Sequence, residues 1–80
     1  MNARVHFILK TLSGAKPFAL PESALHQALN DKVRPEVSQK DFQKLLVELE
    51  ADRFIARLSA KYEDEARWAI REAGEAALLR

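Results

Sequence analysis

Along the first fifteen positions Val5, Ile8, Leu9 and Leu12 form one apolar stripe at helical spacing. Asn2 stands before them as an N-cap, and Gly14 follows where a helix C-terminus often takes a left-handed residue. The pattern predicts a first helix between these two residues. Phe7 lies about 160° from the centre of the stripe, so it is expected at the surface unless another element covers it. Lys16 to Leu20 contains a proline and the run Phe18-Ala19-Leu20, too short for a helix and long enough for a minimal strand. Pro21 suits the first turn of a second helix. Glu22 is well placed for the dipole of that helix, Leu25, Ala28 and Leu29 face inward, and its end is expected near Asn30.

Asp31 to Val37 is polar and holds Arg34-Pro35, whose proline disfavours a helical Arg34, so a loop is predicted. Ser38 then has the features of an N-cap, with Asp41 as capping-box partner and with Val37 and Phe42 placed as a hydrophobic staple. Phe42, Leu45, Leu46 and Leu49 make one apolar face of a third helix ending near Asp52. The opposite face carries Lys40, Gln43, Lys44 and Val47, with Gln39 to one side.

After Arg53 two periodicities compete. Tyr62, Ala66, Ala69, Ile70, Ala73 and Ala77 fall at the spacing of one long helix. By alternation, Phe54, Ala56, Leu58 and Ala60 share a face, Trp68 and Ile70 alternate with Arg67, Ala69 and Arg71, and Lys61 to Glu65 joins two strands. Gly74 costs a continuous helix about 1 kcal/mol, and a lone rod leaves Trp68 and Tyr62 little to pack on. The hairpin is favoured, with a short closing helix.

Helix, short strand, helix, helix, hairpin and short terminal helix is the order of a winged helix-turn-helix domain. Leu49-Glu50-Ala51-Asp52-Arg53-Phe54-Ile55-Ala56-Arg57 resembles the join between recognition helix and first wing strand in bacterial transcriptional regulators of the MarR and PadR kind. The run from Trp68-Ala69-Ile70-Arg71 through Gly74 to Leu78 resembles their second wing strand passing into the closing helix. Arg53 stands where that family usually has a turn glycine, and Arg71 where it usually has a capping threonine. The resemblance implies an α+β winged-helix fold over residues 1–80 as a single domain: a three-helix bundle, a small antiparallel wing and a short C-terminal helix.

It also implies that the third helix reads DNA. Gln39, Lys40, Gln43 and Lys44 are then the residues expected at base edges in the major groove, since Gln pairs bidentately with adenine and Lys reaches guanine acceptors or phosphate. Lys32 and Arg34 in the preceding loop are expected on phosphates, and Arg57, Lys61 and Arg67 beside the wing on backbone. The tip Tyr62-Glu63-Asp64-Glu65 would set three acids against phosphates, so a wing that inserts into DNA is not expected.

Composition narrows the remaining choices. With 80 residues, 48% apolar and no cysteine, the chain must hold itself together by packing, burying about 63% of its surface on folding. No apolar run is long enough for a membrane span or a secretory signal, and a cytoplasmic domain is the default. Thirteen basic and twelve acidic residues leave +1, so bulk charge offers little attraction to nucleic acid. His6 and His26 are the only imidazoles, and neither glycine belongs to a phosphate cradle, so no cofactor, metal or enzymatic activity is expected. A single module of this charge binds weakly alone. A homodimer is therefore expected, with Phe7, Leu78 and Leu79 as its surface. The alternative is a winged-helix protein-interaction module without nucleic-acid contact, consistent with the low charge, the acidic tip and exposed Val47.

Overall fold

The computed structural model describes residues 2–58 and 65–79. In chain order it has α1 (Ala3–Gly14), β1 (Leu20–Pro21), α2 (Glu22–Lys32), α3 (Gln39–Ala51), β2 (Ile55–Leu58), β3 (Arg67–Ile70) and α4 (Glu72–Leu78). The strands form an antiparallel sheet in the order β1-β3-β2, with Leu20 opposite Trp68, Ile55 opposite Ile70 and Arg57 opposite Trp68. This is the winged-helix arrangement, with the hairpin in place of a long terminal rod.

The apolar stripes meet in one core. Ile8, Leu9 and Leu12 of α1 pack with Leu25 and Leu29 of α2, with Phe42 and Leu46 of α3, and with Ile55 and Trp68 of the sheet. Asn2 caps α1 by accepting from the Val5 N–H at 3.0 Å. Gly14 is the last residue of α1 and is not left-handed; the helix closes over Ala15 in a right-handed conformation. Pro21 sits before α2 rather than in it, extended and paired with Arg67, and α2 runs on to Lys32.

Alternation along β2 is one residue out of the phase expected from Phe54, Ala56 and Leu58. Ile55 is fully buried while Leu58 is 49% exposed. The cause lies at the end of α3. Arg53 N–H donates to the Glu50 carbonyl and Phe54 N–H to the Leu49 carbonyl, at 2.9 and 3.0 Å, which is a Schellman closure with Arg53 in the left-handed region at φ 64°. The closure uses the chain through Phe54, so the strand starts its inward phase at Ile55.

On the other side of Phe54, α4 lies close. A Cβ at Gly74 would fall well inside van der Waals contact distance of the Phe54 carbonyl oxygen and 2.9 Å from Ile70 Cγ1. Glycine is required there by that approach, which outweighs its poor helix propensity. Among the described residues, no helix is long and apolar enough to cross a membrane.

Candidate nucleic-acid interface

Ser38 starts α3 as expected, its hydroxyl accepting from the Asp41 N–H at 3.2 Å, with Val37 and Phe42 both buried behind it. Two α2 residues hold the chain just before this cap. Asn30 treats Val37 as a paired strand would: its Oδ1 accepts from the Val37 N–H at 2.8 Å and its Nδ2 donates to the Val37 carbonyl at 3.1 Å. His26 Nε2 also reaches that carbonyl, at 2.6 Å. A carbonyl only accepts, so Nε2 is the protonated nitrogen, and its 3.1 Å approach to Asn30 Nδ2 is one of two donors converging on one oxygen. The His26 ring stacks on Phe42 at 4.6 Å between centroids and 15° between planes. Arg4 of α1 adds a bond to the Pro35 carbonyl at 3.1 Å. The first turn of α3 is thus held from behind, and its outer face is left open.

At about 100° per residue, Lys40, Lys44, Val47 and Ala51 form the outward ridge of α3, opposite Phe42, Leu46 and Leu49. Gln39, Gln43 and Glu50 lie on the flank toward the sheet, and Asp41 and Glu48 on the flank toward α1. Gln39, Lys40, Gln43 and Lys44 are all exposed, as their place away from the apolar face predicts. Lys32 and Arg34 are exposed too, but Arg34 is held by Glu36 of its own loop at 2.8 Å. Arg57 and Arg67 diverge. Pairing puts Arg57 on the sheet face of Trp68, toward α3, and Arg67, opposite Leu58, on the other face. Lys61 lies outside the described residues, as do Tyr62, Glu63 and Asp64 of the expected tip. Of the expected dimer surface, Phe7 and Leu78 are half-buried against the core and Leu79 is 89% exposed, with α1 and α4 side by side.

Between α3 and the sheet runs a groove of about 490 Å³ lined by Gln39, Gln43, Val47, Arg57 and Trp68 together with the carboxylates of Glu22, Glu50 and Glu65. Two of these acids are engaged. Glu65 turns back onto the start of α2, its Oε1 accepting from the Ser23 hydroxyl at 2.8 Å and its Oε2 from the Ser23 N–H at 3.4 Å. Pro21 supplies no side-chain cap to α2, and Glu65 takes that place from the wing. Glu22 accepts from Trp68 Nε1 at 3.2 Å and from Gln43 Nε2 at 3.3 Å.

The sequence reading assigned neither Glu22 nor Glu65 to these roles, and it missed His26, Asn30 and Arg4. A buried indole N–H needs an acceptor, which was one available signal; the i, i+4 spacing of His26 and Asn30 was another.

No family model and no curated protein matches the chain. Solved structures do. The PcaV transcriptional regulator from Streptomyces coelicolor, in complex with its natural ligand, superposes with a TM-score of 0.81 over 100% of this chain and 52% of its own, at 7% identity. RosR of H. salinarum gives 0.80 over 99% of this chain and 68% of its own, at 18% identity. TA0346 from Thermoplasma acidophilum, provisionally assigned as a transcriptional regulator, gives 0.75 over 95% and 71%, also at 18% identity. The chain therefore has the winged-helix fold of these regulators and spans about half the length of PcaV.

Proposed function

We propose that this chain is a sequence-reading module for double-stranded DNA in a transcriptional regulator that works as a homodimer. The observation that carries the reading is α3: its N-terminal half exposes Gln39, Lys40, Gln43 and Lys44 on a helix clamped from behind by His26 and Asn30. Base edges are met by the N-terminal residues of such a helix, and the acids Glu48 and Glu50 fall later, farther from the duplex. Folding also removes part of the objection raised by the acidic wing, because Glu65 bonds to Ser23 and does not face outward alone. Lys32 lies at the end of α2, and Arg57 faces the groove, where phosphate contact is available to each. Leu79, beside the packed α1 and α4, marks the proposed dimer face.

The test is a titration of mixed-sequence duplex at several salt concentrations. With about four phosphates neutralised per protomer, log affinity falls with log salt at a slope near −3.6. Lys40→Glu with Lys44→Glu reduces that slope by about 1.8 while the fold is kept. A protein-interaction module is the second reading, favoured by Val47, 61% exposed beside a groove that carries three carboxylates. Absent or salt-independent duplex binding decides for it.

A further inference from the structure

Gln43 stands at the edge of the reading face with one side of its amide already engaged. Its Nε2 donates to Glu22 Oε2 at 3.3 Å, and Glu22 Oε1 accepts from Trp68 Nε1 at 3.2 Å. Both oxygens of Glu22 are thereby used, and both ends of the relay are anchored. Trp68 is buried in β3, and Glu22 opens α2 with its backbone N–H donating to the Ala66 carbonyl at 3.0 Å. A carboxylate accepts and does not donate, so the amide of Gln43 meets Glu22 only through its NH2 group. Oε1, on the other side of the same amide carbon, turns away from Glu22. An amide on an open helix face takes either sense; here a residue of α2 sets it.

Resting on the DNA-reading function proposed above, the geometry points to Glu22 as a positioning residue that acts through Gln43 and determines which base pair Gln43 reads. An outward carbonyl oxygen needs a donor. In the major groove adenine N6 and cytosine N4 supply one, whereas guanine O6 and N7 and thymine O4 are acceptors. The second hydrogen on Gln43 Nε2, not used by Glu22, meets adenine N7, so adenine satisfies both ends of the amide. The Gln43 position therefore reads an A·T pair, although Glu22 touches no base.

Selection from a random duplex library with the full chain tests this, using the wild type and Glu22→Gln. In the variant Oε1 keeps Trp68, while the new NH2 faces Gln43, whose amide must turn round and present its own NH2 outward. Preference at one base pair then passes from adenine to guanine by roughly tenfold in relative affinity, with the other positions unchanged. Gln43→Ala flattens the same position and leaves Glu22 with Trp68. The Trp68 indole and Gln43 side-chain amide resonances report fold and bonding without DNA. If the wild type selects a sequence and Glu22→Gln selects the same one, the assignment is overturned and DNA reading stands. Preference weakened evenly at every position marks a structural role and also overturns it. If the wild type selects nothing, the DNA-reading function falls and takes the assignment with it.

Discussion

The two ends of α3 are fixed by different kinds of chemistry. At the N-terminal end the holding groups are side chains: from α2, Asn30 pairs with both polar groups of Val37 and His26 adds a third bond and stacks on Phe42, while Ser38 itself caps the first turn. At the C-terminal end they are main chain against main chain. Arg53 and Phe54 close the helix through their own N–H groups, Arg71 N–H donates to the Phe54 carbonyl at 2.9 Å, and α4 approaches the same carbonyl at Gly74. The difference follows from what each end does. On the DNA-reading function proposed above, one leaves its outer side chains free and is gripped from behind by groups that substitution can tune. The other turns the chain into the sheet and has no room for an added atom.

Gly74→Ala gives the largest effect. Helix propensity alone predicts a gain of about 1 kcal/mol, but a methyl driven against the Phe54 backbone costs about 3 kcal/mol, for a net loss near 2. Urea denaturation measures it. On the proposed DNA-reading function, duplex affinity corrected for the folded fraction stays unchanged, because the C-terminal end then only supports α3. A stabilised Gly74→Ala would mean that α4 is not seated on Phe54, and the contrast between the ends would lose its basis.

Asn30→Ala comes next. It strips the Val37 N–H of its acceptor and leaves His26 on the carbonyl, a loss of about 1.5 kcal/mol. If α3 reads DNA as proposed, duplex affinity falls as well, several-fold at equal folded fraction, because Val37 leads directly into the cap before Gln39 and Lys40. Reduced stability with full affinity would place the clamp in the same supporting class as Gly74.

The two ends also differed in how well they could be read from the sequence. Ser38, Asp41, Val37 and Phe42 carry the start of α3 within six residues, and the exposure of Gln39, Lys40, Gln43 and Lys44 follows from the apolar face opposite them. Alternation around Trp68 and Ile70, the cost of Gly74 in a continuous helix, and the lack of packing for Trp68 and Tyr62 on a lone rod favour the hairpin. What escaped depends on partners distant in sequence. Gly74 is explained by the Phe54 backbone and Ile70, and Glu65, expected in an acidic wing tip, reaches back to Ser23 at the start of α2. The phase of β2 departs from the alternation of Phe54, Ala56 and Leu58 because the Schellman closure, a matter of backbone conformation at Arg53, shifts the strand start by one residue. The resemblance to winged-helix regulators did mark Arg53 as the residue in a glycine's place, and φ 64° gives that mark its physical content.

Arg53→Gly has the smallest effect and the opposite sign. A side chain in the left-handed region costs about 1 kcal/mol through the contact of Cβ with the following carbonyl, and glycine removes it. Glycine also loosens the unfolded chain by about 0.5 kcal/mol, which leaves a gain of about 0.5. Denaturation with an unchanged m-value reads this directly, and Arg53→Ala is the necessary control, since alanine keeps the strain and loses only the guanidinium. If glycine stabilises and alanine does not, the backbone explains the gain. Duplex affinity then adds a second comparison. Equal losses in both variants would mean that the exposed guanidinium of Arg53 reaches phosphate, so that the C-terminal end of α3 binds as well as supports and the two ends differ in how they are held but not in what they do.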